Sequence, residues 1–153
     1  MIKIGNKVPK LGGTIQSGDT LKLADFAGQW LVLYFYPKDN TTGCTREAGD
    51  FRDRYTRFKR RGAAIVGVSR DSVRSHYGFK EKLGLPFALV ADTGETWCKA
   101  FDVIRKKKLY GREYLGVERS TFLIGPDGKL AQEWRGVKVP GHVDAVLAAI
   151  PPK

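Results

Sequence analysis

The apolar run at residues 30–36 (WLVLYFY) constrains the fold more than any other stretch, because it is typical of a buried β-strand. Pro37 ends the run, and the turn-forming residues 39–43 follow it. A helix with one core-facing stripe is then predicted as far as Arg61. The stripe consists of Cys44, Ala48, Phe51, Tyr55 and Phe58. Cys44 is therefore expected, partly exposed, in or next to the first helical turn, where free backbone N–H groups and the helix dipole favour a thiolate.

The rest of the chain alternates strand and helix signals around this junction. Strands are predicted at residues 63–69, 87–91, 121–124 and 130–134, and helices at residues 73–83, 92–101 and 140–150. Residues 11–23, with a turn near Gly18, predict an N-terminal β-hairpin. This order predicts an α/β fold in which helices cover both faces of a central mixed sheet. We expect residues 1–153 to form a single domain.

Composition limits the class of protein. With 153 residues and 42% hydrophobic content, the chain can fill one core. Its apolar runs are shorter than the roughly 18 to 20 residues that cross a bilayer, and its first residues lack the apolar segment of a secretory signal, so a cytoplasmic protein without membrane contact is expected. Two cysteines do not make a disulfide framework, and no Cys/His cluster has zinc-ligand spacing, so no structural metal is expected.

The net charge of +11, from 27 Lys and Arg against 16 Asp and Glu, would attract nucleic acid. The basic residues are spread along the chain, with local runs only at residues 57–61 and 105–108. Neither run carries an RNA-binding signature, so a solvated surface is the preferred interpretation, and a nucleic-acid partner is not expected.

One segment carries a family resemblance: residues 34–45 (YFYPKDNTTGCT) resemble the active-site loop of peroxiredoxins. They are most similar to the peroxiredoxin Q branch, also called bacterioferritin comigratory protein. The resemblance extends to residues 51–53, 65–69, 119–124 and 126–128, and so covers nearly the whole chain. It implies a thioredoxin-like fold. It also implies thiol-dependent reduction of hydrogen peroxide and organic hydroperoxides, without metal, haem or flavin.

The resemblance assigns roles that match the chemistry of peroxide reduction. A thiolate must attack one peroxide oxygen, and an ordinary thiol with a pKa of about 8.5 is mostly protonated at neutral pH, so cations and backbone donors are needed. Cys44 is the expected peroxidatic nucleophile, passing through a sulfenic acid. Arg119 would stabilise the thiolate and the peroxide. Thr41 would present its hydroxyl to both, Pro37 would exclude water, and the N–H groups of Gly43 and Cys44 would bind peroxide oxygens.

The chain departs from the family where the sulfenic acid must be reduced. Many members of this branch carry a resolving cysteine five residues after the peroxidatic one, and here that position is Gly49. Three routes stay open: an external thiol (thioredoxin, glutaredoxin or a small thiol), Cys98 of the same chain, and an intermolecular disulfide. The third route needs a dimer, and because the sequence shows no interface pattern, a monomer is expected. Cys98 has a structural interpretation too, as part of a packed helical face with Trp97 and Phe101.

The two histidines and the alternative function remain to be interpreted from the sequence. His76 and His142 have no partnering Cys or acid pattern, so they are expected to be surface or capping residues. The alternative function is a non-peroxidase thioredoxin-like module that binds a partner through the basic surface. Thioredoxin-type exchange is disfavoured, because the sequence contains no Cys-x-x-Cys pair.

Overall fold

The computed structural model describes residues 2–153 and is built around a five-stranded mixed sheet. The strands are β1 (Gly12–Thr14), β2 (Thr20–Lys22), β3 (Trp30–Phe35), β4 (Ala63–Ser69), β5 (Ala88–Ala91), β6 (Ile104–Leu109), β7 (Arg112–Val117), β8 (Ser120–Ile124) and β9 (Leu130–Arg135). The helices are α1 (Thr42–Asp53), α2 (Tyr55–Arg60), α3 (Val73–Leu83), α4 (Thr96–Ala100) and α5 (His142–Ala149), with a 3-10 turn at Leu23–Phe26.

The central sheet has the order β5-β4-β3-β8-β9. Strand β3 lies in the middle, parallel to β4 and antiparallel to β8, so the predicted mixed sheet is confirmed. Strands β1 and β2 form the predicted N-terminal hairpin, which joins the sheet edge through a bridge between Ile15 and Val90. The registers place Ser120, the first residue of β8, opposite Phe35, the last residue of β3. Arg119 therefore lies next to the point where the chain leaves β3.

Alternate side chains of β3 enter two separate hydrophobic clusters, one on each face of the sheet, as the period of two in a strand requires. Val32 and Tyr34, together with Tyr36 just after the strand, join the cluster formed with α1, α2, α3 and α5. Leu31, Leu33 and Phe35 join the cluster formed with α4 and the N-terminal hairpin. Helices therefore cover both faces of the sheet, as predicted. None of the helices within residues 2–153 is long and apolar enough to cross a membrane.

The first predicted helix is wrong in one respect, since it is not continuous to Arg61. It stops at Asp53, and α2 begins at Tyr55, because Arg54 adopts φ −106° and ψ 6°. The Arg54 side chain reaches across to Asp144 of α5, with 2.5 Å between Nε and Oδ1. Residue spacing along the helix correctly predicts which residues face the core, but it contains no information on this tertiary contact.

The hairpin of β6 and β7 was not predicted from the sequence. The basic run 105–108, interpreted as a solvated face, lies in β6 and pairs with β7. Lys106 and Lys108 are exposed as expected, whereas Lys107 is half-buried. The alternation was not recognised because the strand is almost entirely basic, so the usual contrast between apolar and polar faces is missing.

Candidate active site

Cys44 lies in the first turn of α1, at the junction that the sequence predicts. The chain leaves β3, turns at residues 36–41 and enters α1 with Thr41 as the extended N-cap residue. Cys44 packs in the same cluster as Tyr34, Ala48 and Phe51, and only 1% of its surface is exposed. The expected partial exposure is therefore wrong: the stripe that begins at Cys44 is covered along its whole N-terminal half.

Arg119 brings a positive charge directly to the Cys44 sulfur. Its Nη2 donates to Cys44 Sγ across 3.4 Å, while its Nη1 donates to Glu47 Oε1 across 2.7 Å. Burial would lower the pKa of Arg119, but the negative charge of Glu47 and the interaction with Cys44 outweigh it and raise that pKa above its usual value. The guanidinium therefore stays charged, and its planar fork holds both groups at once.

Glu47 is a site residue that the sequence interpretation missed. It is fully buried one turn after Cys44 on α1. Burial raises its pKa to about 7, although the charge and hydrogen bond of Arg119 act in the opposite direction. Among the residues that the structure describes, none forms a hydrogen bond with its Oε2. The sequence did contain a signal for Glu47, since it lies three residues after Cys44 and beside the core-facing stripe of α1. A buried acid at such a position needs a cationic partner, so the sequence could have predicted an ion pair there.

Thr41 and Pro37 lie in the loop that precedes α1, as expected. Thr41 occupies the N-cap position, but its Oγ1 donates to the carbonyl of Lys38 across 2.9 Å. Within residues 2–153 this hydroxyl makes neither a capping bond nor a bond to the sulfur. Pro37 is half-buried at the start of the loop. The resting structure therefore orients the Thr41 hydroxyl towards its own loop.

Gly43 lets the guanidinium lie against the backbone of the first turn. A Cβ at this position would lie 3.1 Å from Arg119 Nη2 and 4.0 Å from a methyl group of Val139. Any other residue would therefore require the Arg119 guanidinium to shift by a few tenths of an ångström. The peptide N–H groups of Gly43 and Cys44 belong to the first helical turn, where they lack intrahelical partners.

Two further titratable groups feel the charge of Arg119. Lys107 is half-buried on β6, and its Nζ donates to the carbonyl of Val117 across 2.7 Å. Its pKa is lowered by burial and by the charge of Arg119. His142, at the start of α5, is buried, with Nε2 2.8 Å from Thr121 Oγ1, so its prediction as a surface or capping residue is wrong. Burial and Arg119 lower its pKa to about 4, so it is neutral at neutral pH.

His76 is also buried, contrary to the sequence prediction, and it does have an acidic partner. Its Nδ1 lies 2.7 Å from Asp39 Oδ2, and Asp71 completes a group whose oxygen and nitrogen atoms lie within 4.8 Å of one another. This is the spacing of a metal site. The atoms are, however, already engaged with protein groups, since His76 Nε2 faces the carbonyl of Val90 and Asp71 Oδ2 accepts from Ser69. Their arrangement supports a structural network better than a cation.

Cys98 lies far from this site in the architecture. It is fully buried on α4, in the cluster on the opposite face of the sheet from Cys44. Its backbone N–H donates to Asp92 Oδ2 across 2.8 Å. Burial, reinforced by Asp92, raises the pKa of the Cys98 thiol. Both cysteines are free thiols, and they lie on opposite faces of the central sheet.

Sequence and structural comparisons identify the class to which this site belongs. The chain belongs to the AhpC/TSA family, whose model matches residues 4–133. It is 51% identical over 149 residues to the peroxiredoxin Bcp of Bacillus subtilis, covering 97% of this chain and 95% of that one. The structure of Xanthomonas campestris peroxiredoxin Q superposes with a TM-score of 0.88 at 54% identity, covering 92% of this chain and 89% of the other.

A further similar structure supports assignment of the chain to one subfamily. It is that of the X. campestris bacterioferritin comigratory protein, studied for alkyl peroxide reduction, with a TM-score of 0.90, 49% identity and 97% coverage of both chains. The chain is thus a peroxiredoxin of the Q or Bcp subfamily, a thiol-dependent peroxidase with a thioredoxin-like fold. The alternative of a non-peroxidase binding module is set aside.

Proposed function

We propose that Cys44 is the peroxidatic nucleophile and that it reduces hydrogen peroxide and organic hydroperoxides through a sulfenic acid. The observation that carries this proposal is the Arg119 guanidinium, which donates to the Cys44 sulfur and to the buried Glu47 at the same time. A fixed cation beside the sulfur favours the thiolate over the thiol. The X. campestris relative studied for alkyl peroxide reduction supports organic hydroperoxides as substrates.

In the first half-reaction the thiolate of Cys44 attacks one peroxide oxygen. The oxygen–oxygen bond breaks, a sulfur–oxygen bond forms, and the second oxygen leaves as hydroxide or alkoxide that takes up a proton. Negative charge moves from sulfur to the departing oxygen, so donors that face both atoms stabilise the transition state. Arg119 and the free N–H groups of Gly43 and Cys44 are the proposed donors. Thr41 would turn its hydroxyl from the Lys38 carbonyl towards the bound peroxide, and Pro37 would limit access of water.

In the second half-reaction we propose that an external thiol attacks the sulfur of the Cys44 sulfenic acid, so that a mixed disulfide forms and water leaves. A second thiol then attacks the mixed disulfide and releases Cys44 in its reduced form. Gly49 supplies no thiol on α1, and Cys98 lies on the opposite face of the sheet with a raised pKa, which disfavours the intrachain route. A disulfide requires Cα atoms within about 7 Å, whereas the two cysteines belong to hydrophobic clusters on opposite faces of the sheet. Thioredoxin, glutaredoxin or a small thiol would therefore serve as reductant to a monomeric, single-domain protein, and such thiols are kept reduced in the cytoplasm.

Intact-mass and peptide analysis after one equivalent of peroxide tests the proposal, with Cys98→Ser as the matched control. We expect Cys44 to gain one oxygen in the wild type and in Cys98→Ser alike, and Cys44→Ser to consume no peroxide. A disulfide between Cys44 and Cys98, or a dimer linked through Cys44, would contradict the external-thiol route. Full activity in Cys44→Ser would contradict the assignment of the nucleophile.

A further inference from the structure

The loop that leads to Cys44 contains a buried carboxylate that the reaction itself does not use. Asp39 lies two residues after Pro37, and its side chain is almost completely excluded from solvent. A carboxylate in such a place needs several partners to offset its lost hydration. Its Oδ1 accepts from the Tyr36 hydroxyl across 2.7 Å, and its Oδ2 accepts from Ser75 Oγ across 2.8 Å. The loop is therefore tied by a side chain to the first turn of α3.

His76 is the strongest of these partners. Its Nδ1 lies 2.7 Å from Asp39 Oδ2, and its Nε2 lies 2.9 Å from the carbonyl oxygen of Val90. A carbonyl oxygen can only accept, so Nε2 carries a hydrogen. The contact at Nδ1 joins the ring to a buried carboxylate and is the charge-assisted hydrogen bond of the pair. Both ends of the imidazole are fixed, so the ring joins the loop to strand β5 as well as to α3.

The backbone on either side of Asp39 shows what this anchor holds. The N–H of Asp39 donates to Asp71 Oδ2 across 2.9 Å, just beyond β4. The next residue, Asn40, has a φ of 64°, in the left-handed region that side chains other than glycine adopt at a cost. Thr41 follows as the N-cap of α1. The anchor therefore fixes the sharp turn through which the chain delivers Thr41, Gly43 and Cys44 to the site.

We propose that the pair of Asp39 and His76 is a latch that holds the Cys44 loop in its peroxide-reactive position and must loosen before an external thiol can reach the oxidised sulfur. The inference rests on the proposed function, in which Cys44 forms a sulfenic acid that an external thiol reduces. Peroxide is small enough to react in the closed site. A thiol reductant is larger, and the Cys44 residue is 1% exposed, so the loop or the first turn of α1 has to move.

This arrangement makes Asp39 and His76 positioning residues with an unusual signature, because the two half-reactions need opposite states of the loop. Weakening the pair lowers the population of the closed state, so oxidation of Cys44 by peroxide slows. The same change raises the population of the open state, so reduction of the sulfenic acid becomes faster. A defect that only loosened the whole fold would not separate the two rates in this way.

The test measures the two half-reactions separately in His76→Gln, in Ser75→Ala and in a control, Leu130→Ala, whose side chain is buried in the cluster on the opposite face. The single-turnover rate of Cys44 oxidation by hydrogen peroxide is one readout, and the rate of sulfenic acid reduction by dithiothreitol is the other. In His76→Gln we expect reduction to accelerate by roughly tenfold, the scale of one lost charge-assisted hydrogen bond, and oxidation to slow by a smaller factor, because the closed state stays the more populated one. In Ser75→Ala the two rates should change in the same directions by smaller factors. This second variant keeps the test valid if His76→Gln folds poorly.

Hydrogen exchange gives an independent readout of the latch. Backbone amides of residues 38–44 should exchange faster in His76→Gln and Ser75→Ala, and should keep their wild-type rates in Leu130→Ala. Slowing of both half-reactions together, or an identical rate split in Leu130→Ala, would overturn the proposal. If the wild type itself formed no sulfenic acid at Cys44, the proposed function would fail before the variants were compared.

Discussion

Replacing Arg119 by glutamine should damage activity and stability through two separable routes. The activity route is loss of the donor that lies 3.4 Å from the Cys44 sulfur. Glutamine carries no charge, and it cannot offer the planar fork that holds sulfur and carboxylate together. Removing one donor that faces developing charge typically slows a reaction by about 10²- to 10³-fold, so the rate of peroxide reduction should fall by a factor of that size.

The stability route runs through Glu47. This side chain is fully buried, and Arg119 supplies its 2.7 Å ion pair. Removing one partner of a buried pair costs about 3–5 kcal/mol when the other charge stays behind. Glu47 can avoid part of that cost by taking up a proton. The free energy of unfolding of Arg119→Gln should therefore lie below that of the wild type by an amount that depends on pH.

The sign of that pH dependence follows from the pKa of Glu47. Burial already raises it to about 7, and the Arg119 charge and hydrogen bond lower it, so losing Arg119 raises it further. A carboxyl group with a folded-state pKa above its unfolded value binds more protons in the folded state. Its contribution to stability is then complete at low pH and is lost as pH rises towards the folded-state pKa. The slope reaches at most about 1.4 kcal/mol per pH unit for one proton.

Urea unfolding between about pH 5 and about pH 8 checks this prediction in the wild type, Arg119→Gln, Glu47→Gln and the double variant. The double variant has neither the Glu47 carboxylate nor the Arg119 guanidinium, so it buries no unpaired charge. Its free energy of unfolding should therefore be higher than that of Arg119→Gln and should not show the added pH dependence. Its peroxidase rate should stay low, because the donor to the sulfur is still missing. A double variant with restored activity, or an Arg119→Gln protein no more sensitive to rising pH than the wild type, would refute the reasoning.

Three further predictions follow from single positions. Gly49→Cys should fold normally, since a Cβ there lies 3.5 Å from the nearest atom of Arg52, an ordinary van der Waals contact. Residues five apart on an intact helix have Cα atoms about 8.6 Å apart, beyond the disulfide limit of about 7 Å, so peroxide should produce a disulfide between Cys44 and the introduced thiol only with unwinding of the start of α1, and peptide mass analysis detects that disulfide. Thr41→Val should lower peroxide reduction by about tenfold or more while Thr41→Ser retains it, because only serine keeps the hydroxyl; steady-state rates measure both. Burial and the neighbouring guanidinium lower the pKa of His142 to about 4, so its folded state binds fewer protons than the unfolded one. Wild-type stability should therefore fall, relative to His142→Gln, as pH drops from about 6.5 to about 4, by up to about 3 kcal/mol in urea unfolding.

Local signals in the sequence were sufficient to predict the strands and helices that position the site residues. Strand β4 and helix α3 have the predicted bounds, because a compact apolar run defines the first and caps define the second. Ser72 accepts from the backbone N–H of Ser75, and Gly84 ends the helix with a φ of 62°. The position of Cys44 at the start of α1 was predictable for the same reason, since Pro37 and the polar loop mark the junction.

The polar pairing inside the site was not predictable from local pattern. Glu47 finds its cation 72 positions along the chain, and Asp39 finds its imidazole 37 positions along. Spacing along a helix says which face a residue occupies, but it does not say which distant side chain meets it there. The buried His76 was missed for this reason. A buried acid or histidine could be suspected from sequence, whereas its partner required the fold.

The anchors of α1 differ between its two ends, and this difference favours the N-terminal end as the one that would open for the proposed external thiol. Its C-terminal end is fixed by Arg52, which donates to the carbonyl of Leu83 across 2.8 Å, and by the contact of Arg54 with α5. The N-terminal end has the Arg119 contact with Cys44 and the pair of Asp39 and His76 in the preceding loop. In the proposed reaction, oxidation of Cys44 to a sulfenic acid would remove the negative charge from the sulfur and so weaken its attraction to Arg119. The contacts of Asp39 with His76, Ser75 and Tyr36 would then remain as polar restraints on the loop, and in the proposed mechanism their strength would set how readily an external thiol gains access.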